Sequence, residues 1–235
     1  MLLGQIVSGL SEALKLIVEG DREIYSIILL SLRVSGIALL IATAAGVPLG
    51  AWLGLTGFPG RRVVVALVYT GMGLPPVVVG LVVFMLLSKT GPLGALGWLF
   101  KVPGMILAQS IIALPIVAGL TMTAVGGVNK NVKQQLVALG ASPAQVRWAT
   151  LSEARMGVLA AVLAGFGRIV AEVGAVMLVG GNIQYRTRVL TTAIVLETRK
   201  GNFGMALALG SILLVISFVV NAAVLHLNRR GLGDS

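Results

Sequence analysis

Residues 129–158 read NKNVKQQLVALGASPAQVRWATLSEARMGV, and they are polar where the sequence on both sides is apolar. Residues 134–139 suit a short helix. Gly140 can end it, since glycine takes the left-handed cap conformation at little cost. Ser142 and Pro143 then start a second helix, with Ser as N-cap and Pro at the first helical position. The stretch therefore reads as a helix–glycine–helix knuckle that projects from its surroundings.

Those surroundings are a membrane. Of 235 residues, 57% are hydrophobic and 11% charged, against about 25% charged in a soluble domain. So few charges cannot solvate a surface in water. A bilayer core needs roughly 20 apolar residues per helix. Five runs meet that need, at about 26–55, 63–87, 103–125, 157–179 and 203–227. They predict an all-α polytopic membrane domain over 26–228, with the polar stretch 129–155 between the third and fourth spans. Residues 57–62 (GFPGRR) form a short turn, residues 181–201 a polar loop, and residues 229–235 a tail. Gly is frequent, 31 residues, many of them inside the spans. Small residues let membrane helices approach closely, as a packed, movable bundle requires.

Residues 1–25 lack the basic start and compact apolar run of a cleavable signal, and they carry Glu12, Glu19, Asp21 and Glu23. Leu3, Ile6, Leu10, Leu14 and Ile17 recur at helical steps. An amphipathic helix is expected there, lying in the membrane interface or packed on the spans. Orientation should follow Lys and Arg in short loops. With the C-terminus cytoplasmic and the N-terminus outside, they divide eight to eight. Setting aside loop 181–201 leaves eight inside against four outside, which favours that orientation.

Several classes are excluded. There is no Cys and one His, His226, so no Cys-based or multi-histidine metal site exists. No G-x-x-x-x-G-K-[ST] loop is present, so the chain should not hydrolyse ATP itself. The net charge of +10 is spread between apolar runs, which reads as topology and headgroup contact and not as nucleic-acid binding. A membrane-embedded enzyme would need catalytic groups that the spans lack. A secondary transporter or channel for a small anion is the alternative, but no inverted repeat supports it.

The knuckle resembles the cytoplasmic coupling loop of ABC importer permeases of type I. Leu139, Gly140, Ala141 and Ser142 match its centre, followed by Pro143. Gln134, Gln135 and Leu136 stand where that pattern has Glu-Ala-Ala, and its closing Leu-Pro is replaced by Ser152-Glu153. Residues 73–81 (GLPPVVVGL), 87–94 (LSKTGPLG), 172–175 (EVGA), 180–183 (GGNI) and 187–194 (TRVLTTAI) resemble molybdate, tungstate and sulfate permeases, and tungstate-type permeases most. The resemblance implies a homodimer in a prokaryotic cell membrane, with two ATPase subunits that bind ATP and Mg. It also implies an extracytoplasmic oxyanion-binding protein and alternating access, with no cofactor in this chain. Residues 139–143 would then be the peg seated in the ATPase.

Candidate residues for the path follow from chemistry. Pro75 and Pro76 remove two backbone donors mid-span, so a kink is expected beside a water-lined path or as a packed bend. Arg168 and Glu172 sit four residues apart in one span. They either pair and lock the bundle or form part of an anion path, and Arg33 carries the same ambiguity. Thr187, Thr191 and Thr192 are candidate donors to oxyanion oxygens. Arg186, Arg188, Arg199 and Lys200 would concentrate anions or dock the acidic face of a binding protein.

Overall fold

The structure, a computed structural model, describes residues 21–230. The helix expected over 1–25 therefore lies outside the described residues, apart from its last few. Residues 22–25 instead open α1, Arg22–Leu55. Asp21 caps it, its carboxylate accepting from the Ile24 amide at 2.9 Å. The chain continues through α2 (Arg61–Gly73), α3 (Pro76–Leu87), a single 3-10 turn (Gly94–Leu96) and α4 (Val102–Gly126). Next come α5 (Lys130–Ala138), α6 (Pro143–Glu153), α7 (Arg155–Val170), α8 (Gly174–Gly180), α9 (Leu190–Arg199) and α10 (Phe203–Arg230). The described residues form an all-α bundle.

Three helices, α1, α4 and α10, are individually long and apolar enough to cross a bilayer. The count reaches five when α2 with α3 and α6 with α7 are each taken as one bent span. Two expected continuous spans are broken. The run 63–87 divides into α2 and α3, which meet at 101°. The run 157–179 divides at residues 171–173 into α7 and α8. The expected loop 181–201 holds a ten-residue helix, α9.

α4 is the axis. It buries 67% of its apolar window, against 33% for α1 and 22% for α10. Its tightest seam is with α1. A Cβ on Gly46 would come within 3.1 Å of Val117, and one on Gly54 within 2.9 Å of the Met122 carbonyl. Gly50, between them, would strike the Ala118 carbonyl and Thr121. Three glycines at four-residue steps thus bring two backbones together, and packing replaces the hydrophobic drive that lipid does not supply. Outward sides are apolar: Leu29, Leu40, Leu67, Leu214 and Phe218 are 66–73% exposed. In water that surface would aggregate; in lipid it is solvated.

The two ends of the bundle differ. At one end α9 and α10 pack on the start of α1, through Ile24, Ile27, Leu190, Ala193 and Leu209. At the other, Ala51, Val125 and Ala154 bury the root of the α5–α6 knuckle.

Candidate functional site

The knuckle forms as its residues dictate. Asn129 caps α5, accepting from the Asn131 amide. Gly140 ends the helix with φ +84°. The Ala141 amide donates to the Leu136 carbonyl and the Gly140 amide to the Val137 carbonyl, both at 3.0 Å. These are the two bonds of a Schellman cap. Ser142 then starts α6 with a full capping box. Its hydroxyl accepts from the Gln145 amide, and its amide donates to the Gln145 side chain. Pro143 occupies the first turn. At the tip, Leu139 is 84% exposed, and Val137 and Trp148 are also exposed. The cap is satisfied within itself, so the apolar tip is held rigidly outward.

A second arrangement lies deep in the bundle, where the two helix breaks meet. Gly80 of α3 packs on Ala175 of α8, and a Cβ on Gly174 would lie 2.6 Å from Val77. The half-helices α3 and α8 therefore leave their breaks side by side and run the same way. At their far end the Phe100 amide donates to the Val179 carbonyl at 2.9 Å.

Broken helices within a membrane must satisfy freed backbone groups internally. At residues 171–173 three side chains do so. Glu172, 8% exposed, accepts from the Ala175 amide at 2.9 Å and so caps α8. Thr191 of α9 donates to the Glu172 carbonyl at 2.9 Å. Gln109 of α4 donates to the Ile169 carbonyl at 3.1 Å. Ser31, Ser35, Gln109, Val170 and Thr191 also line a crevice of about 10 Å³. That is about the size of one water molecule, and the Gln109 carbonyl oxygen is buried without a partner. A lone Gln in the apolar run 103–125 was the signal for this contact, and it drew no expectation from the sequence.

Several expected roles are corrected. Arg168 and Glu172 do not pair. α7 ends at Val170, so helical four-residue spacing does not carry to Glu172. Arg168 is exposed in the last turn of α7, where a cation suits the helix dipole, and it makes no ion pair among the described residues. Thr192 is fully buried. Its hydroxyl accepts from the Val189 amide and donates to the Val189 carbonyl, so it is not available to an oxyanion. Thr187 is likewise engaged, accepting from the Ile183 amide and donating to the Gly180 carbonyl. Pro75 and Pro76 sit at the bend as expected, Pro75 as N-cap of α3 and Pro76 in its first turn.

The four cations of loop 181–201 also divide. Arg188 donates from Nη1 to Glu23 at 2.7 Å, and Gln184 donates to the same carboxylate. Lys200 donates to Glu197 at 2.8 Å. Asn202 donates to that carboxylate too, and the Lys200 hydrogen bond foremost holds the Glu197 carboxyl below its usual range. Arg186 and Arg199 are exposed. Loop 181–189 itself is a tight coil, with Gly181, Asn182 and Tyr185 at positive φ.

This geometry has known relatives. Residues 46–231 match the family described as binding-protein-dependent transport system inner membrane component. A probable anion ABC transporter permease protein of Haloferax volcanii is 43% identical, over 84% of this chain and 87% of its own. The tungstate uptake system permease protein TupB of Peptoclostridium acidaminophilum is 39% identical, over 95% and 98%. Among solved structures, a bacterial alginate ABC transporter in complex with alginate pentasaccharide-bound periplasmic protein superposes with a TM-score of 0.73 at 22% identity. That match covers 94% of this chain and 86% of the other. The chain belongs to the binding-protein-dependent transport system inner membrane component family.

Proposed function

We propose that this chain is the membrane-spanning subunit of an ATP-driven importer for an oxyanion, tungstate first and molybdate next. Identity of 39% over nearly the whole chain to a tungstate uptake permease carries that reading. Two copies would form the pathway, and two separate ATPase subunits would bind ATP and Mg. An extracytoplasmic binding protein would deliver the anion. The N-terminus would lie outside and the C-terminus in the cytoplasm.

The mechanism follows from connectivity. α4 leads into the knuckle and α7 leads out of it. α7 ends at the 171–173 break, and α4 grips that break through Gln109. A push on the Leu139 tip is therefore delivered by two rigid helices to the place where α3 and α8 begin. ATP binding would draw the ATPases together, move the knuckle and open the paired breaks outward. Hydrolysis would reverse it. Selectivity among tetrahedral anions would rest mostly with the binding protein. Reconstituting the complex with its ATPase and binding protein tests the reading. Tungstate should stimulate ATP hydrolysis more than molybdate and far more than sulfate. Stimulation by none of the three would contradict it.

A further inference from the structure

At the end of the bundle opposite the knuckle, Ser26, Leu29, Leu30 and Arg33 occupy one face of α1 at helical spacing. Tyr185 and Arg188 of the 181–189 coil close over them, leaving a cleft of about 190 Å³. Arg33 is exposed and has no ion pair among the described residues. Arg188 gives one nitrogen to Glu23, while its Nε is buried and without a partner. Arg188 thus has Glu23 as its counter-ion, and Arg33 is the arginine of the cleft left without one among the described residues.

Depth and shape say what fits. From Arg33 to Leu55 the helix runs roughly 33 Å at 1.5 Å per residue, about the thickness of a hydrocarbon core. With Leu55 at the inner edge of the core, Arg33 stands at the outer headgroup boundary. Below it, Ile37, Leu40 and Ile41 continue an exposed apolar stripe down α1. Tyr185, 62% exposed, is an amphipathic ring at the level where such rings gather.

We infer that this cleft holds the phosphodiester of an anionic phospholipid, clamped by Arg33 and Arg188, with its acyl chain along the α1 stripe. A single negative charge supplies the counter-ion that Arg33 lacks. A choline headgroup would add an ammonium to a site already positive, and a free dianion such as tungstate would leave the apolar stripe unused. The inference rests on the chain spanning a bilayer and not on which anion it transports.

Native mass spectrometry of the detergent-purified complex tests it, with dioleoyl phosphatidylglycerol and dioleoyl phosphatidylcholine as probes. The wild type should retain phosphatidylglycerol in preference to phosphatidylcholine. Arg33→Gln should lower that retention about tenfold, the effect of losing one charged hydrogen bond, while Arg33→Lys stays within about threefold. Millimolar sodium tungstate should leave the bound lipid in place. Equal retention by wild type and Arg33→Gln would overturn the inference. So would displacement by tungstate, which assigns the cleft to the free oxyanion. That competition needs only the wild type, so it decides the matter even if a variant fails to assemble.

Discussion

Thr191 donates its hydroxyl to the backbone carbonyl of Glu172 at 2.9 Å, tying α9 to the break between α7 and α8. Both residues are buried, so bulk solvent does not compete for the bond. Thr191→Val keeps the shape and removes the donor. It should cost about 1 kcal/mol, with a lower melting temperature in detergent and slower uptake. Thr191→Ser should restore both. Unchanged uptake in Thr191→Val would show that the break is held without this bond.

The α1–α4 seam makes a steric prediction. Gly50→Ala puts a methyl against the Ala118 carbonyl and Thr121, both fixed by the neighbouring helix. Overpacking of this kind costs about 1–3 kcal/mol, and thermal unfolding should register it. Gly36 lies on the same helix with nothing within 4 Å of its Cβ position. Gly36→Ala should be neutral or stabilise by up to about 1 kcal/mol, since Ala is the better helix former. Equal losses in the two variants would mean that helix flexibility, not the seam, sets the effect.

The Gly140 cap makes a conformational one. No atom lies within 4 Å of its Cβ position, so only its φ of +84° resists substitution. Gly140→Ala should cost the knuckle about 1 kcal/mol and weaken ATPase stimulation. Gly140→Asn, whose side chain tolerates left-handed backbone, should lose less. The order of the two variants in stimulated ATP hydrolysis checks this.

Glu197 adds a pH dependence. Lys200 above all holds its folded-state carboxyl below the ordinary value, so the ion form favours the fold. That contribution is complete above the ordinary carboxylate pKa of about 4.3 and fades as pH falls through the lowered folded value. Melting temperature from pH 6 to about pH 3 should drop less in Glu197→Gln than in the wild type. The same slope in both would assign the acid loss elsewhere.

How much was legible beforehand depended on where each feature's cause lay. Gly140, Ser142 and Pro143 carry their caps locally, so the knuckle could be read from adjacent residues alone. The α2–α3 bend was equally local, since Pro75 and Pro76 remove donors wherever they stand. The break at 171–173 has no proline. It depends on Glu172 turning back to cap α8 and on Gly174 meeting Val77 of a distant helix. Spacing along one chain segment does not encode that, so Arg168 and Glu172 looked like a helical pair. The pairing of Arg188 was hidden for the same reason. Glu23, the partner of Arg188, lies 165 residues away.

Coupling to ATP hydrolysis runs through the Leu139 tip in the proposed mechanism, and the chain's lack of cysteine allows one residue to be read there alone. Leu139→Cys in membrane vesicles can be labelled with a membrane-impermeant maleimide, with and without the ATPase subunit. Labelling is expected only in inside-out vesicles, with protection once the ATPase is bound. Labelling from the outside, or labelling that the ATPase leaves unchanged, would contradict that mechanism.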